Sequence, residues 1–248
     1  MKIQELLNYT AQLLEVGRFK DYCPNGLQVE GKTEISKIIT GVTASQALLE
    51  AAYEEHADAI LVHHGYFWRN EDPRMMGLKQ RRIKFLLQND LNLIAYHLPL
   101  DAHVELGNNA QLAKILGLRI ENWTGDPAII ATGSLPKPLT LSNFSHEIAS
   151  KLNRTPLLIG DKNKLIKHVA WCSGAAQNYF EEAIALGVDA YISGEVSEQT
   201  YHLAQESGVA YLACGHHATE RYGIKALGEH LAEKFSLEHR FIDIDNPV

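Results

Sequence analysis

The apolar positions of this chain follow two alternating rhythms. Ile3, Leu6, Leu7, Ala11 and Leu14 recur every three or four residues, which predicts an amphipathic helix at residues 3–14. ISKIITGV (35–42) reads as a strand. ASQALLEAAYEEH (44–56) reads as a helix with Ala47, Leu48, Ala51 and Ala52 along one face. ADAILV (57–62) is a short continuous apolar run, the pattern of a buried strand, and it ends at His63. A helix follows over KQRRIKFLLQND, a strand over LNLIAYHLPL, and a helix over NNAQLAKILG, closed by Gly117. Strands alternating with helices in this way predict an α/β fold.

NWTGDPAIIATGSLPKP (122–138) is rich in Gly and Pro, which places a boundary there and divides the chain into α/β lobes of 1–125 and 126–248. After it the element order recurs. ITGVTASQALLEAAYEEHADAILVHHGYF matches AWCSGAAQNYFEEAIALGVDAYISGEVSE at an offset of 131, pairing Asp58-Ala59 with Asp189-Ala190 and Gln46 with Gln177. LIAYHLPLD matches VAYLACGH at an offset of 115, sharing Ala-Tyr. The expected architecture is therefore two similar lobes related by internal duplication. In that alignment Gly194-Glu195 stand where His63-His64 do, and His216 stands where Asp101 does.

Composition narrows the class. Against 30 acidic residues there are 23 basic ones, a net charge of −7, which argues against a chain that coats nucleic acid. Cys23, Cys172 and Cys214 are far apart and lack metal-ligand spacing, so buried thiols in a reducing, cytoplasmic compartment are expected. No stretch is apolar enough for a membrane helix.

Of the 12 histidines, four form the adjacent pairs His63-His64 and His216-His217, where chance predicts about 0.6 pairs, so adjacency alone decides nothing. Convergence does more. His63 and His64 end one strand, Asp101 follows another, and in GHHATE the residues His216 and Glu220 lie one helical turn apart. In α/β sheets ligands gather at the carboxyl ends of strands, so a site between the lobes could draw on all five residues. Five N and O donors without a thiolate exceed the needs of one tetrahedral ion. They suit a dinuclear site, with one of the adjacent imidazoles for each ion, Glu220 bridging, and Gly65 turning the chain so that both rings point inward. Such donors take Zn, Fe, Mn, Co or Ni, and cations with open positions activate water. His97 and Glu195 are candidates to orient a ligand or act as general base. Tyr66, Phe67 and Trp68 are read as wall or core residues rather than base-stacking platforms, and Arg69, Arg74, Lys79 and Arg221 as the cations that would meet a triphosphate or else solvent. No Gly-rich phosphate cradle is present.

GVTASQ, VHHGYFW, HLPLDAH, SGEVSEQT and GHHATE, together with DYCPNGLQVEG near the start, closely resemble the Nif-three-like family, of the YbgI type, whose bacterial members carry the name GTP cyclohydrolase I type 2 homologue. The resemblance runs through nearly the whole chain. It implies two divalent metal ions per chain on His63, His64, Asp101, His216 and Glu220, and assembly as a ring-shaped homohexamer, a trimer of dimers. The expected function is a metal-dependent hydrolase acting on a nucleotide-like small molecule. The alternative is a metal-delivery protein, or a ring that encloses a partner such as single-stranded DNA.

Overall fold

Ser45 starts the helix that the 44–56 pattern predicts: its hydroxyl accepts from Leu48 N, and Leu48, Leu49 and Ala52 are buried beneath it. Ala47, expected on that face, is exposed, and Leu49 takes its place. The computed structural model describes residues 1–248 as two units, one of 1–100 with 224–245, the other of 101–223 with 246–248. In chain order the first unit holds α1 (Ile3–Leu13), β1 (Gly26–Val29), β2 (Lys37–Thr43), α2 (Gln46–Glu54), β3 (Ala59–His64), α3 (Gly77–Gln88) and β4 (Asn92–Ala95). The short helix α4 (Leu98–Ala102) leads into the second unit. There lie α5 (Asn108–Leu116), β5 (Arg119–Thr124), β6 (Ile130–Thr140), α6 (Leu141–Leu152), β7 (Leu157–Ile159), β8 (Leu165–Trp171), α7 (Phe180–Ala185), β9 (Ala190–Ser193), α8 (Glu198–Ser207) and β10 (Ala210–Ala213). The long helix α9 (His216–Phe235) then carries the chain back to the first unit and β11 (Glu238–Phe241).

The sheet of the first unit has strand order β1-β4-β3-β2-β11, with parallel pairing from β4 to β11 and an antiparallel β1 at one edge. That of the second has order β5-β6-β8-β9-β10-β7, with a parallel centre and antiparallel flanks. Both faces of its centre are buried. Val169, Trp171, Ala190, Ile192, Ala210 and Leu212 join one apolar cluster, while Ala170, Cys172, Tyr191, Tyr211 and Ala213 join another.

Two expectations need correction here. The Gly- and Pro-rich stretch at 122–138 is not an irregular boundary. It forms the β5–β6 hairpin of the second sheet, with Trp123 opposite Ala131, and β6 continues alongside β8. Pro136 and Pro138 sit where the β6–β8 ladder is interrupted between Ser134 and Leu139, so their missing N–H groups leave no rung unmade. Consequently the units do not follow the 1–125 and 126–248 lobes. The hairpin belongs wholly to the second sheet, and the C-terminal strand β11 pairs with β2 in the first.

The 131-residue offset has a physical counterpart. Asp58 Oδ2 accepts from the backbone of Ser36 (2.8 Å) and Lys37 (3.1 Å), and Asp189 Oδ2 accepts from that of Lys167 (2.9 Å) and His168 (2.8 Å). Each aspartate precedes one strand and clamps the backbone of its neighbour just before their parallel pairing begins. The registers agree as well, with Ile38 opposite Ala59 and Val169 opposite Ala190. The offset of 115 does not hold. Leu93 lies opposite Ile60, and Tyr211 opposite Tyr191, so Tyr211 stands where Leu93 does, 118 residues on. Hence His216 does not stand where Asp101 does. The segment between the two strands differs in length in the two units, and a change in loop length shifts the offset of everything after it.

Candidate metal centre

In the first unit the site begins where β3 runs out. Its pairing with β4 ends at Val62 and Ala95, while β3 itself continues through His64. Consecutive strand residues start on opposite faces, yet the His63 and His64 rings lie 4.5 Å apart by centroid. Both belong to the strand, so no turn at Gly65 is needed. Gly65 is tightly enclosed for another reason: a Cβ there would lie 2.8 Å from the Ala95 Cβ and would displace the Gln28 side chain. The Gln28 oxygen accepts from Tyr66 N at 2.6 Å. His63 is fully buried, and its Nδ1 donates to the Tyr96 carbonyl at 2.9 Å, which leaves the lone pair on Nε2. Thr43 Oγ1 lies 3.3 Å from His64 Nδ1.

His97 is held in the same unit. Its Nδ1 lies 2.7 Å from Asp21 Oδ1, and its backbone N–H donates to Asn25 Oδ1 at 2.8 Å. Burial pushes the Asp21 carboxyl up, but hydrogen bonding and charge at His97, with Asn25 and Tyr22 N–H, hold it below the ordinary range. The wall expected from the aromatic run is Trp68, which meets His97 edge-on at 5.0 Å. Tyr66 is core, its hydroxyl donating to the Ala44 carbonyl. Cys23 is a buried free thiol pushed up to about 12, first by burial and then by Asp21.

In the second unit α9 opens at His216, which puts His216 and Glu220 on one face of its first turn. His216 Nε2 lies 3.1 Å from Glu220 Oε2, and His216 Nδ1 lies 2.7 Å from Glu195 Oε1. Burial works against the imidazolium, but Glu220 and then Glu195 outweigh it and raise the group to about 9. Asp101, in the short α4, is buried; its Oδ1 accepts from Asn108 Nδ2 (2.8 Å) and Ser173 Oγ (3.3 Å). Ligand oxygens of Asp101 and Glu220 lie within 4.8 Å of each other.

The second unit also makes room for that carboxylate. A Cβ at Gly174, whose φ is +66°, would lie 2.1 Å from Glu220 Oε1. Gly174 N donates to Thr219 Oγ1, and Thr219 in turn donates to the Gly215 carbonyl. A glycine is therefore required beside the buried acid.

The donor chemistry fits divalent cations. Two buried carboxylates this close repel each other, and a cation is the charge that offsets both. Every ring Nδ1 described here meets an oxygen, which is how metal-binding imidazoles are oriented. A match to the family model of Duf34/NIF3 (NGG1p interacting factor 3) covers residues 1–247. The chain belongs to the NIF3 family. Relatives named GTP cyclohydrolase 1 type 2 homolog are 53% identical in Pseudomonas aeruginosa, over 99% of this chain and 98% of that one, and 56% identical in Vibrio cholerae, over 100% and 99%. A solved structure of the protein ybgI, described as of unknown function, matches with a TM-score of 0.97 at 50% identity, covering all of both chains.

In this NIF3-family chain His63, His64 and His97 cluster in the first unit, while Asp101 in α4, Glu195 in the loop after β9, and His216 and Glu220 at the start of α9 belong to the second. The cations suggested for a triphosphate are engaged elsewhere: Arg69 donates to the Asp21 carbonyl, Arg74 pairs with Asp72, Lys79 with Glu71, and Arg221 donates to the Leu152 carbonyl. Reading the sequence missed Asp21, Asn25, Asn108, Ser173 and Gly174. Asp21 and Asn25 lie in DYCPNG and Asn108 in the GNN that follows HLPLDAH, but only the fold shows which side chain each one holds. No helix is long and apolar enough to cross a membrane.

Proposed function

We propose that this chain binds two divalent metal ions through His63, His64, Asp101, His216 and Glu220, and that it acts as a metal-dependent hydrolase on a nucleotide-like small molecule. The observation that carries the reading is the second unit's acid pair. Asp101 and Glu220 are buried, their ligand oxygens are within 4.8 Å of each other, and an imidazole nitrogen lies 3.1 Å from one of them. His63 and His64 would supply imidazole nitrogens and Asp101 and Glu220 carboxylate oxygens to these cations. Cations on these donors supply Lewis acidity and water activation at neutral pH. Glu195 orients His216, and the Tyr96 carbonyl orients His63. The name carried by the relatives points to opening of a purine ring by water, and the internally bonded Arg69, Arg74, Lys79 and Arg221 argue against a triphosphate clamp built from those four. The recurring aspartate clamp supports an internal duplication. Assembly as a cytoplasmic homohexamer completes the proposal.

The test has two stages. Elemental analysis of purified protein gives two metals per chain, and Glu220→Ala loses metal; a full complement in that variant overturns the bridging role. Metal-loaded protein is then screened against nucleotides and oxidised nucleotides. A hydrolase shows metal-dependent turnover that His64→Ala and Glu220→Ala abolish while staying folded. Exchangeable metal with no turnover favours a delivery protein instead, and binding of single-stranded DNA a scaffold.

A further inference from the structure

His97 is better placed than a structural histidine needs to be. Its ring centroid lies 5.0 Å from that of His63 and 5.7 Å from that of His64, and one nitrogen from each of the three rings lies within 4.8 Å of the others. Asp21 stands behind it at Nδ1, which directs the Nε2 lone pair away from the carboxylate. The Asp21 side chain is only 3% exposed. Its Oδ2 accepts from Leu98 N (2.9 Å) and Asn25 Nδ2 (2.8 Å), and its Oδ1 from Tyr22 N (2.6 Å). Burying a carboxylate is costly, and four hydrogen bonds offset that cost here, one of them to the His97 ring. The three rings share one arrangement: oxygen at Nδ1 from Tyr96, Thr43 and Asp21 respectively.

We propose that His97 is a sixth metal ligand, so that the first unit presents a three-imidazole face of His63, His64 and His97, with Asp21 as the carboxylate that positions His97. This deepens the two-cation reading and rests on it. Three neutral nitrogens leave the cation's charge undiminished and favour Zn, Co, Ni or Fe over Mg or Ca.

The test is titration of full-length, metal-stripped protein with Co(II) and Zn(II) against a competing chelator. His97→Gln and Asp21→Asn are compared with Glu220→Ala, each checked for an unchanged circular dichroism spectrum. His97→Gln is expected to weaken one of the two cations by 100-fold or so, and Asp21→Asn by about 10- to 100-fold. His97→Gln should also shift the visible Co(II) absorption, because a nitrogen donor is lost; a merely structural histidine would leave that band in place. Wild-type affinity and spectrum in His97→Gln, alongside metal loss in Glu220→Ala, overturn the sixth ligand and leave the five-residue reading intact. Metal retained by Glu220→Ala but weakened in His97→Gln does the reverse.

Discussion

The carboxyl ends of β3 and β9 occupy the same place in similar strand orders, yet they carry different chemistry. The first ends in His63-His64, while the second is followed directly by Gly194-Glu195. Both strands start from an aspartate that clamps the neighbouring strand through two backbone N–H groups. The start of each strand is thus governed by a backbone requirement, and the end is left to vary. In the first unit the end supplies imidazoles supported by oxygen atoms. In the second it supplies a carboxylate that supports an imidazole from α9, with glycines wherever the backbone closes in.

The two strand ends diverge most at Gly174, which stands where the first unit has Thr43. Gly174→Val should cost about 3 kcal/mol or more in urea unfolding, from a clash with Glu220 and a strained positive φ. A cost below about 1 kcal/mol would mean that the loop yields and that the glycine is not required. Glu195→Gln should weaken metal binding by about 10- to 100-fold in chelator competition, since it removes the charge behind His216.

The clamps themselves differ in strength. Asp58 also accepts from Ser36 Oγ and from Lys32 Nζ at 2.6 Å, whereas Lys164 Nζ donates to the backbone carbonyl of Asp189. Burial pushes the Asp58 carboxyl up, but Lys32, Ser36 and Lys37 outweigh it and hold the group at about 2. A folded-state value below the unfolded one gives stability that is present above about pH 4 and lost as pH falls toward 2. The contribution is roughly 2 kcal/mol at pH 7. Asp58→Asn should therefore lower stability by roughly that amount at pH 7, with the gap to the wild type narrowing below pH 4. A gap that stays constant with pH would show that charge is not its source. Asp189→Asn should cost less, about 1 kcal/mol, because its carboxylate accepts only neutral backbone donors. The smallest effect is expected for Thr43→Val, a change in metal affinity of under about threefold, because Thr43 stands 3.3 Å from His64 Nδ1.

Much of the site was legible because metal-binding chemistry restricts residue type. Imidazoles and carboxylates at strand ends are conspicuous in a chain with few charged residues inside its apolar runs. Supporting groups were harder to see. Asp21 lies 76 residues from His97, and Ser173 lies 72 from Asp101. Nothing local marks an aspartate in a loop as the partner of a distant ring. The correspondence of Asp58 with Asp189 was legible because clamp and strand register share one spacing. It was misread after Tyr96, where loops of different length shift the register.

What the sequence determined by itself is the alternation of strand and helix and the five candidate donors, since periodicity and residue chemistry are properties of the chain. The tertiary structure alone decided that a Gly- and Pro-rich stretch forms a hairpin, that the last strand returns to the first sheet, and which oxygen faces each ring nitrogen. Those outcomes depend on pairings between residues far apart in sequence, and a linear pattern does not encode distance in space.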